Sequence, residues 1–234
     1  PYTDVFQEIT PLTTGNSLRI NPYEDFNHGI AFQTNENGNW DIAFRPYENG
    51  NWGPITFLTN SPEDEFNLSP FYANEILYPV NNYVLFQRSD TIFVLEYDES
   101  PIAEDPVFVN TTEYQYSDYI GVLYKNYSGN YPRMGIHVIA VEIDSSGNRS
   151  LVYKYKPLNG QWEEKSFIKE NCKCSNPSLQ YYWYSAALIF EDSTLNGLRP
   201  FAVDDWDYEK NIDSIPQLLS GNINNFKVDR PDLI

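Results

Sequence analysis

Two cysteines, two histidines and an excess of carboxylates are the residues of this 234-residue chain best suited to chemistry. Cys172 and Cys174 stand in Cys-Lys-Cys. A bridge across one intervening residue must satisfy demanding geometry. A tetrahedral zinc site wants four ligands, and His28 and His137 lie far away in sequence. A local disulfide is therefore the first expectation, ahead of free thiols or a metal. His28 and His137 are also the two candidates for the usual base of a nucleophilic triad. His137 lies in an apolar run at residues 135–141 and reads as a packed core residue. The sequence has no Gly-x-Ser-x-Gly elbow and no Gly-rich phosphate loop.

Carboxylates carry the remaining chemistry. Paired Asp and Glu residues hydrolyse glycosides, and Asp118, Glu191, Asp204 and Asp205 are the candidates by position. Hairpin turns at residues 35–40 and 48–52 have the Gly and Trp of a sialidase Asp-box but lack its Ser, Asp and Thr. They read as ordinary turns. The formal net charge of −18 disfavours nucleic acid and anionic membrane surfaces. The acidic residues show no calcium-loop spacing. No metal and no cofactor is expected. No apolar stretch is long enough for a transmembrane helix, and any association with a membrane would run through a partner.

Aromatic residues offer a second kind of site. Trp183 lies in Gln180-Tyr181-Tyr182-Trp183-Tyr184, and Trp206 in Asp204-Asp205-Trp206-Asp207-Tyr208. Blade packing is the plain reading of such density. The functional reading makes Trp183, Asp205 and Trp206 contact residues for a partner or a glycan. Trp206 is the better choice, because flanking Asp residues suggest an exposed loop.

The elements that must position these residues recur along the chain. Short extended segments with a proline or polar turn signal begin at Pro22, Pro70, Asp118, Pro177 and Pro231. An apolar run, a Gly/Asn turn, a second run, another turn and a shorter closing run follow most of them. A period of about 40–50 residues with several short strands is the mark of a β-propeller. The expected architecture is an all-β propeller with four recognisable four-stranded blades, and five or more when closed. The expected blades are residues 15–61, 62–113, 114–171 and 172–222, in one domain spanning 1–234.

Two hairpins match best. Residues 42–58 read IAFRPYENGNWGPITFL, and residues 152–168 read VYKYKPLNGQWEEKSFI. Each carries a Pro, an Asn-Gly pair expected to form a type I′ turn, and a Trp two residues on. An earlier pair of turns is held by Gly38 and Gly147. The run at 135–141 is nearly continuous and predicts a strand buried on both faces. Pro200, inside a candidate strand, predicts an edge or a bulge. Residues 8–14 read as a closing strand, and 215–219 as another, so the repeat is cut in mid-blade at both ends. Two expectations fit that frame: a portion of a longer chain, the favoured one, or terminal strands that close the ring in an irregular way.

The strand starts and closing segments carry a resemblance. Ile55-Thr56-Phe57-Leu58-Thr59-Asn60 followed by Leu68-Ser69-Pro70 resembles the TolB-like, WD40-like repeats of bacterial exported proteins. The Asp-Gly of the family's Ser-Pro-Asp-Gly is replaced by Phe71-Tyr72 and, after Asn21-Pro22, by Tyr23-Glu24. Asp90-Thr91-Ile92, Asp192-Ser193-Thr194 and Asp213-Ser214-Ile215 resemble O-glycosylation sites of exported Bacteroidota proteins. The resemblance implies a secreted, cell-surface or periplasmic propeller used for protein or glycan contact, and it carries no catalytic residues. The expected function is a non-enzymatic binding or scaffold module using one loop face. The alternative is a glycosidase-like propeller using paired carboxylates.

Overall fold

A computed structural model describes residues 19–25, 29–48, 50–69, 71–73, 82–98, 100–125, 134–157, 160–182, 185–192 and 197–203. These residues form strands and turns with no helix, so the fold class is all-β. The strands fall into four groups in chain order.

The first sheet holds β1 (Arg19–Asp25), β2 (Gly29–Thr34) and β3 (Asp41–Glu48), with β4 (Asn51–Trp52) and β5 (Thr56–Phe57) both paired to β3. The second holds β6 (Glu65–Ser69), β8 (Asn82–Arg88), β9 (Thr91–Tyr97) and β10 (Pro101–Val109). The third holds β11 (Tyr114–Lys125), β12 (Met134–Asp144), β13 (Arg149–Pro157) and β14 (Ser166–Cys172). The short strand β7 (Phe71–Ala73) joins this third sheet, running parallel to β11 at Gly121–Leu123. The fourth holds β15 (Cys174–Tyr182), β16 (Ser185–Asp192) and β17 (Gly197–Val203). Apart from the β7–β11 pair, all pairings are antiparallel, and apart from β3–β5 and the β6–β8 pair that β7 interrupts they join neighbours in the chain, as short hairpin turns permit.

Alternation along the strands decides which way each side chain faces. Val84 and Phe86 of β8 pack with Leu95 and Tyr97 against Ala31, Ile42, Phe44 and Leu58 of the first sheet. Tyr83 and Leu85, one residue out of step, pack with Ile92, Val94, Val107 and Phe108 against Ile136, Val138, Ala140 and Val152 of the third. The other face of the third sheet buries Ile120, Val122, Ile139, Val141, Leu151 and Tyr153 beside Cys172 and Cys174. Strand β15 adjoins that face. The sheets therefore pack face against face in chain order. The run at 135–141 is buried on both faces because it lies in a middle layer. Pro200 lies in β17, at the edge of the path β15-β16-β17.

The first strand of every sheet carries a bulge. The register shifts between Ile20 and Tyr23, Phe66 and Ser69, Ser117 and Ile120, and Ser175 and Ser178. Asn67, Asp118 and Asn176 sit in these bulges with φ of 56°, 45° and 48°. Asn and Asp tolerate this left-handed region better than other residues with a side chain. The structural anchors of the repeat are thus Asn21, Asn67, Asp118 and Asn176. Pro70 falls two residues beyond the position equivalent to Pro22, so the frame read from the prolines slips in the second unit.

The two matched hairpins also differ. Gly50 has φ +81°, as a tight turn needs. Gly160 does not adopt positive φ; its N–H closes a turn on the Pro157 carbonyl at 2.9 Å. One fewer residue separates Pro157 from its Asn-Gly than separates Pro46. Gly160 is therefore the last residue of a four-residue turn rather than a central one.

Candidate functional site

The two ends of the stacked sheets differ in kind. At one end lie the turns between second and third strands and the connections between sheets. These turns bind one another. The Asn39 amide donates to the Ser61 carbonyl at 2.8 Å, and the Trp40 N–H to Asp64 at 2.9 Å. Ser89 donates to Glu63 at 2.9 Å, and the Asn110 N–H to the Asp90 carbonyl at 2.7 Å. The Asn110 side chain accepts from the Tyr116 N–H at 2.7 Å, and Arg149 pairs with Asp118 at 3.0 Å. The turn 145–148 closes on itself, with Asp144 accepting from Ser146 and Asn148. Those donors hold the Asp144 carboxyl below its ordinary range, the Asn148 side chain foremost.

A buried polar chain ties this end together. The Ile42 N–H donates to Thr59 Oγ1 at 2.7 Å, and Thr59 donates to Glu65 at 2.7 Å. Arg88 Nε donates to the other Glu65 oxygen at 2.8 Å, and its two remaining nitrogens grip Glu104 at 2.7 and 2.9 Å. The guanidinium lies over Phe86 and Phe93. Glu65 has no exposed surface, and burial raises its pKa despite the Thr59 and Arg88 bonds. Gln33 reaches across from β2 to serve the β6 bulge: it donates to the Glu65 carbonyl at 2.9 Å and accepts from the Leu68 N–H at 3.4 Å. From the other side Tyr119 donates to the Asn67 carbonyl, and Ser69 donates to the Tyr119 carbonyl, both at 2.6 Å. Each freed backbone group so engaged avoids the cost of an unmade buried hydrogen bond. These groups build structure.

The opposite end carries the third-to-fourth strand hairpins. Here the β3–β4 hairpin brings Arg45, Tyr47 and Trp52 together. Tyr47 and Trp52 are cross-strand partners with ring centroids 4.7 Å apart. The Arg45 guanidinium lies 5.7 Å from the Trp52 ring, and its Nε donates to the Gly53 carbonyl at 3.0 Å. The Gly53 N–H donates to Pro46 at 2.8 Å and clamps the hairpin base. All three side chains are partly exposed. The third sheet repeats the scheme in part: Lys156, again just before a proline, lies 6.0 Å from the Trp162 ring and pairs with Asp105. Trp162, however, packs into the core between the second and third sheets. Of the two matched hairpins, the first alone presents its Trp as a surface cluster of Arg, Tyr and Trp, the residue types that dominate binding hot spots.

The residues singled out in the sequence fare differently. Trp183, Asp205, Trp206, His28 and Asp204 lie outside the described residues, as do segments 8–14 and 215–219 and Pro231. Cys172 and Cys174 are bonded to each other, with Cα atoms 5.2 Å apart. The disulfide is buried at the junction of the third and fourth sheets. His137 is buried, bonded through Nδ1 to the Tyr153 hydroxyl at 2.7 Å and packed against Tyr155. Asp118 pairs with Arg149 in the β11 bulge. Among the described residues no group of three or more His, Cys, Asp or Glu could hold a metal ion. No helix there is long and apolar enough to cross a membrane. The Arg45–Tyr47–Trp52 cluster was not found by sequence reasoning: the Trp was visible, but hairpin register supplies its partners.

No protein-family model, no curated protein and no solved structure matches this chain.

Proposed function

We propose that the chain is a β-propeller, related to the TolB-like and WD40-like repeats of exported bacterial proteins, that acts as a non-enzymatic binding or scaffold module. The observation that carries the binding reading is the Arg45–Tyr47–Trp52 cluster at the end away from the interlocked turns. A rigid scaffold with function on one set of loops is the usual division of labour. The segments that join first to second strands in the sequence, Phe-Asn-His at 26–28, Asn-Glu-Ile-Leu-Tyr-Pro-Val-Asn at 74–81 and Asn-Tyr-Ser-Gly-Asn-Tyr-Pro-Arg at 126–133, contain several Asn and Tyr. That composition suits adaptable contact surfaces. Trp183 belongs in sequence to the equivalent segment of the fourth sheet.

The propeller reading is supported by four successive meanders whose first strands adjoin. Strand β6 neighbours β1 and β11, and β11 neighbours β15. An exported or cell-surface location is supported by the disulfide, which persists in oxidising compartments. Binding is favoured over glycoside hydrolysis because the buried carboxylates Asp41, Glu65 and Glu142 are held by amides, a hydroxyl and cations of the chain itself. The ligand class is a protein or a glycan.

The test joins a glycan array and a proteome-scale protein array to two variants. A ligand held by the wild type should weaken at least about tenfold with Trp52→Ala, a loss of about 1.4 kcal/mol. It should be unchanged with Asn37→Ala, in the β2–β3 turn at the interlocked end, where the Asn37 amide donates to Asp41 at 2.9 Å. Equal binding by Trp52→Ala and wild type defeats the proposal. Turnover of aryl glycosides by the wild type would hand the site to the carboxylate alternative. Electron microscopy of the chain tests the architecture: a ring of sheets about a central axis is expected, and an open stack of sheets would exclude it.

A further inference from the structure

Lys165 ends the irregular segment 161–165 that precedes β14. Its ammonium lies 4.6 Å from the Tyr114 ring centre, 5.1 Å from Phe167 and 5.9 Å from Tyr116. It also forms an ion pair with Glu142, whose side chain is only 4% exposed. Three electron-rich rings over a buried carboxylate are the composition of sites that recognise ammonium and guanidinium groups. Burial and a hydrogen bond to Glu142 push the Tyr116 phenol upward, so it stays a neutral donor to that carboxylate. Two of the rings face outward: Tyr114 is 38% exposed and Phe167 is 44% exposed.

The surroundings decide the sign of the ligand. An anion would need an ammonium turned outward. Lys165 is held by Glu142, and Lys154 donates to the Val107 carbonyl at 2.8 Å while lying over Phe108. What remains outward is ring surface, which attracts cations. A chain of net charge −18 also draws cations toward itself.

We propose that Tyr114, Tyr116, Phe167 and Glu142 form a recognition site for an organic cation, that Lys165 fills it in cis, and that a lysine or arginine side chain of a partner protein displaces Lys165 to dock there. The site is separate from the Arg45 cluster, so either can fail without the other. Lys154 sets a limit on affinity. Its own pKa is lowered by burial and then by the charge of Lys165, so any cation in the cage meets that repulsion.

Tetramethylammonium chloride is the probe, with sodium chloride at equal ionic strength as the control. In calorimetric titration Lys165→Ala should bind the probe at least about tenfold more tightly than wild type, a gap of about 1.4 kcal/mol. Lys165→Met refills the cage without charge and should match wild type. Glu142→Gln added to Lys165→Ala should give back most of the gain, and Lys154→Met should tighten binding further. A second readout uses wild-type protein with 13C-dimethylated lysines. The Lys165 methyl signal should be shifted upfield by the rings and move toward the free-lysine position as the probe is added. The proposal falls if folded Lys165→Ala binds no better than wild type. It falls equally if the Lys165 signal is unshifted or does not respond to the probe, a result that decides the matter even where Lys165→Ala does not fold.

Discussion

A single hydrogen atom decides two positions in this fold. A Cβ on Gly29 would lie 2.2 Å from the Phe44 ring, and one on Gly135 would lie 2.4 Å from both the Tyr155 ring and the Lys156 carbonyl. Each glycine pairs with a proline, Pro46 or Pro157, and an aromatic ring from the residue two before that proline covers it. Gly135→Ala should lower stability by about 1–3 kcal/mol, the usual cost of overpacking, read as a fall in urea midpoint. The recurrence of Gly-Ile in both units is plain in the sequence, but its reason is not, because the covering ring comes from the next strand. Glu65 gives a second residue-scale prediction. Its folded-state pKa is raised above the ordinary 4.5 by burial, so its ionisation weakens the fold. The stabilising contribution of the protonated form is complete below the unfolded pKa and is lost as pH rises through the folded value. In Glu65→Gln that pH dependence disappears. The wild-type urea midpoint should therefore rise relative to Glu65→Gln as pH falls from neutrality toward 4.5, and parallel profiles would refute the assignment.

At the scale of the element, the strands were legible and their irregularities were not. Alternation and turn chemistry locate the hairpins β2–β3, β8–β9, β12–β13 and β16–β17. The bulges in the first strands escaped, because proline is easier to see than an Asn or Asp bound for positive φ. Asn67 is the clearest test. Asn67→Gly should be close to neutral, since glycine takes the left-handed conformation without penalty. Asn67→Val should cost about 1–2 kcal/mol or more, the penalty of a side chain crowding the carbonyl at that φ. Equal denaturant midpoints for the two variants would show that the bulge does not impose its conformation. The site was half legible for a related reason. Trp52 is conspicuous after Asn-Gly, but Arg45 and Tyr47 join it only through the pairing of Tyr47 with Trp52.

Across the whole molecule, stability is shared between layers. Amides bound between turns, such as those of Asn110 and Tyr116, should exchange more slowly in deuterated solvent than their position at the sheet ends would suggest. The Cys172–Cys174 disulfide closes a loop with one intervening residue, so its effect on the unfolded chain is small. Reduction should cost about 1.5 kcal/mol on the chain-entropy scale, and a loss several times larger would give the bridge an additional part in seating β15. The short strand β7 has a different kind of consequence. It leaves the second sheet in sequence yet bonds to β11 of the third, side by side and in the same direction. Tension that drags β7 lengthwise past β11 strains these bonds together in shear rather than opening them one at a time. That pairing is a mechanical clasp between neighbouring layers.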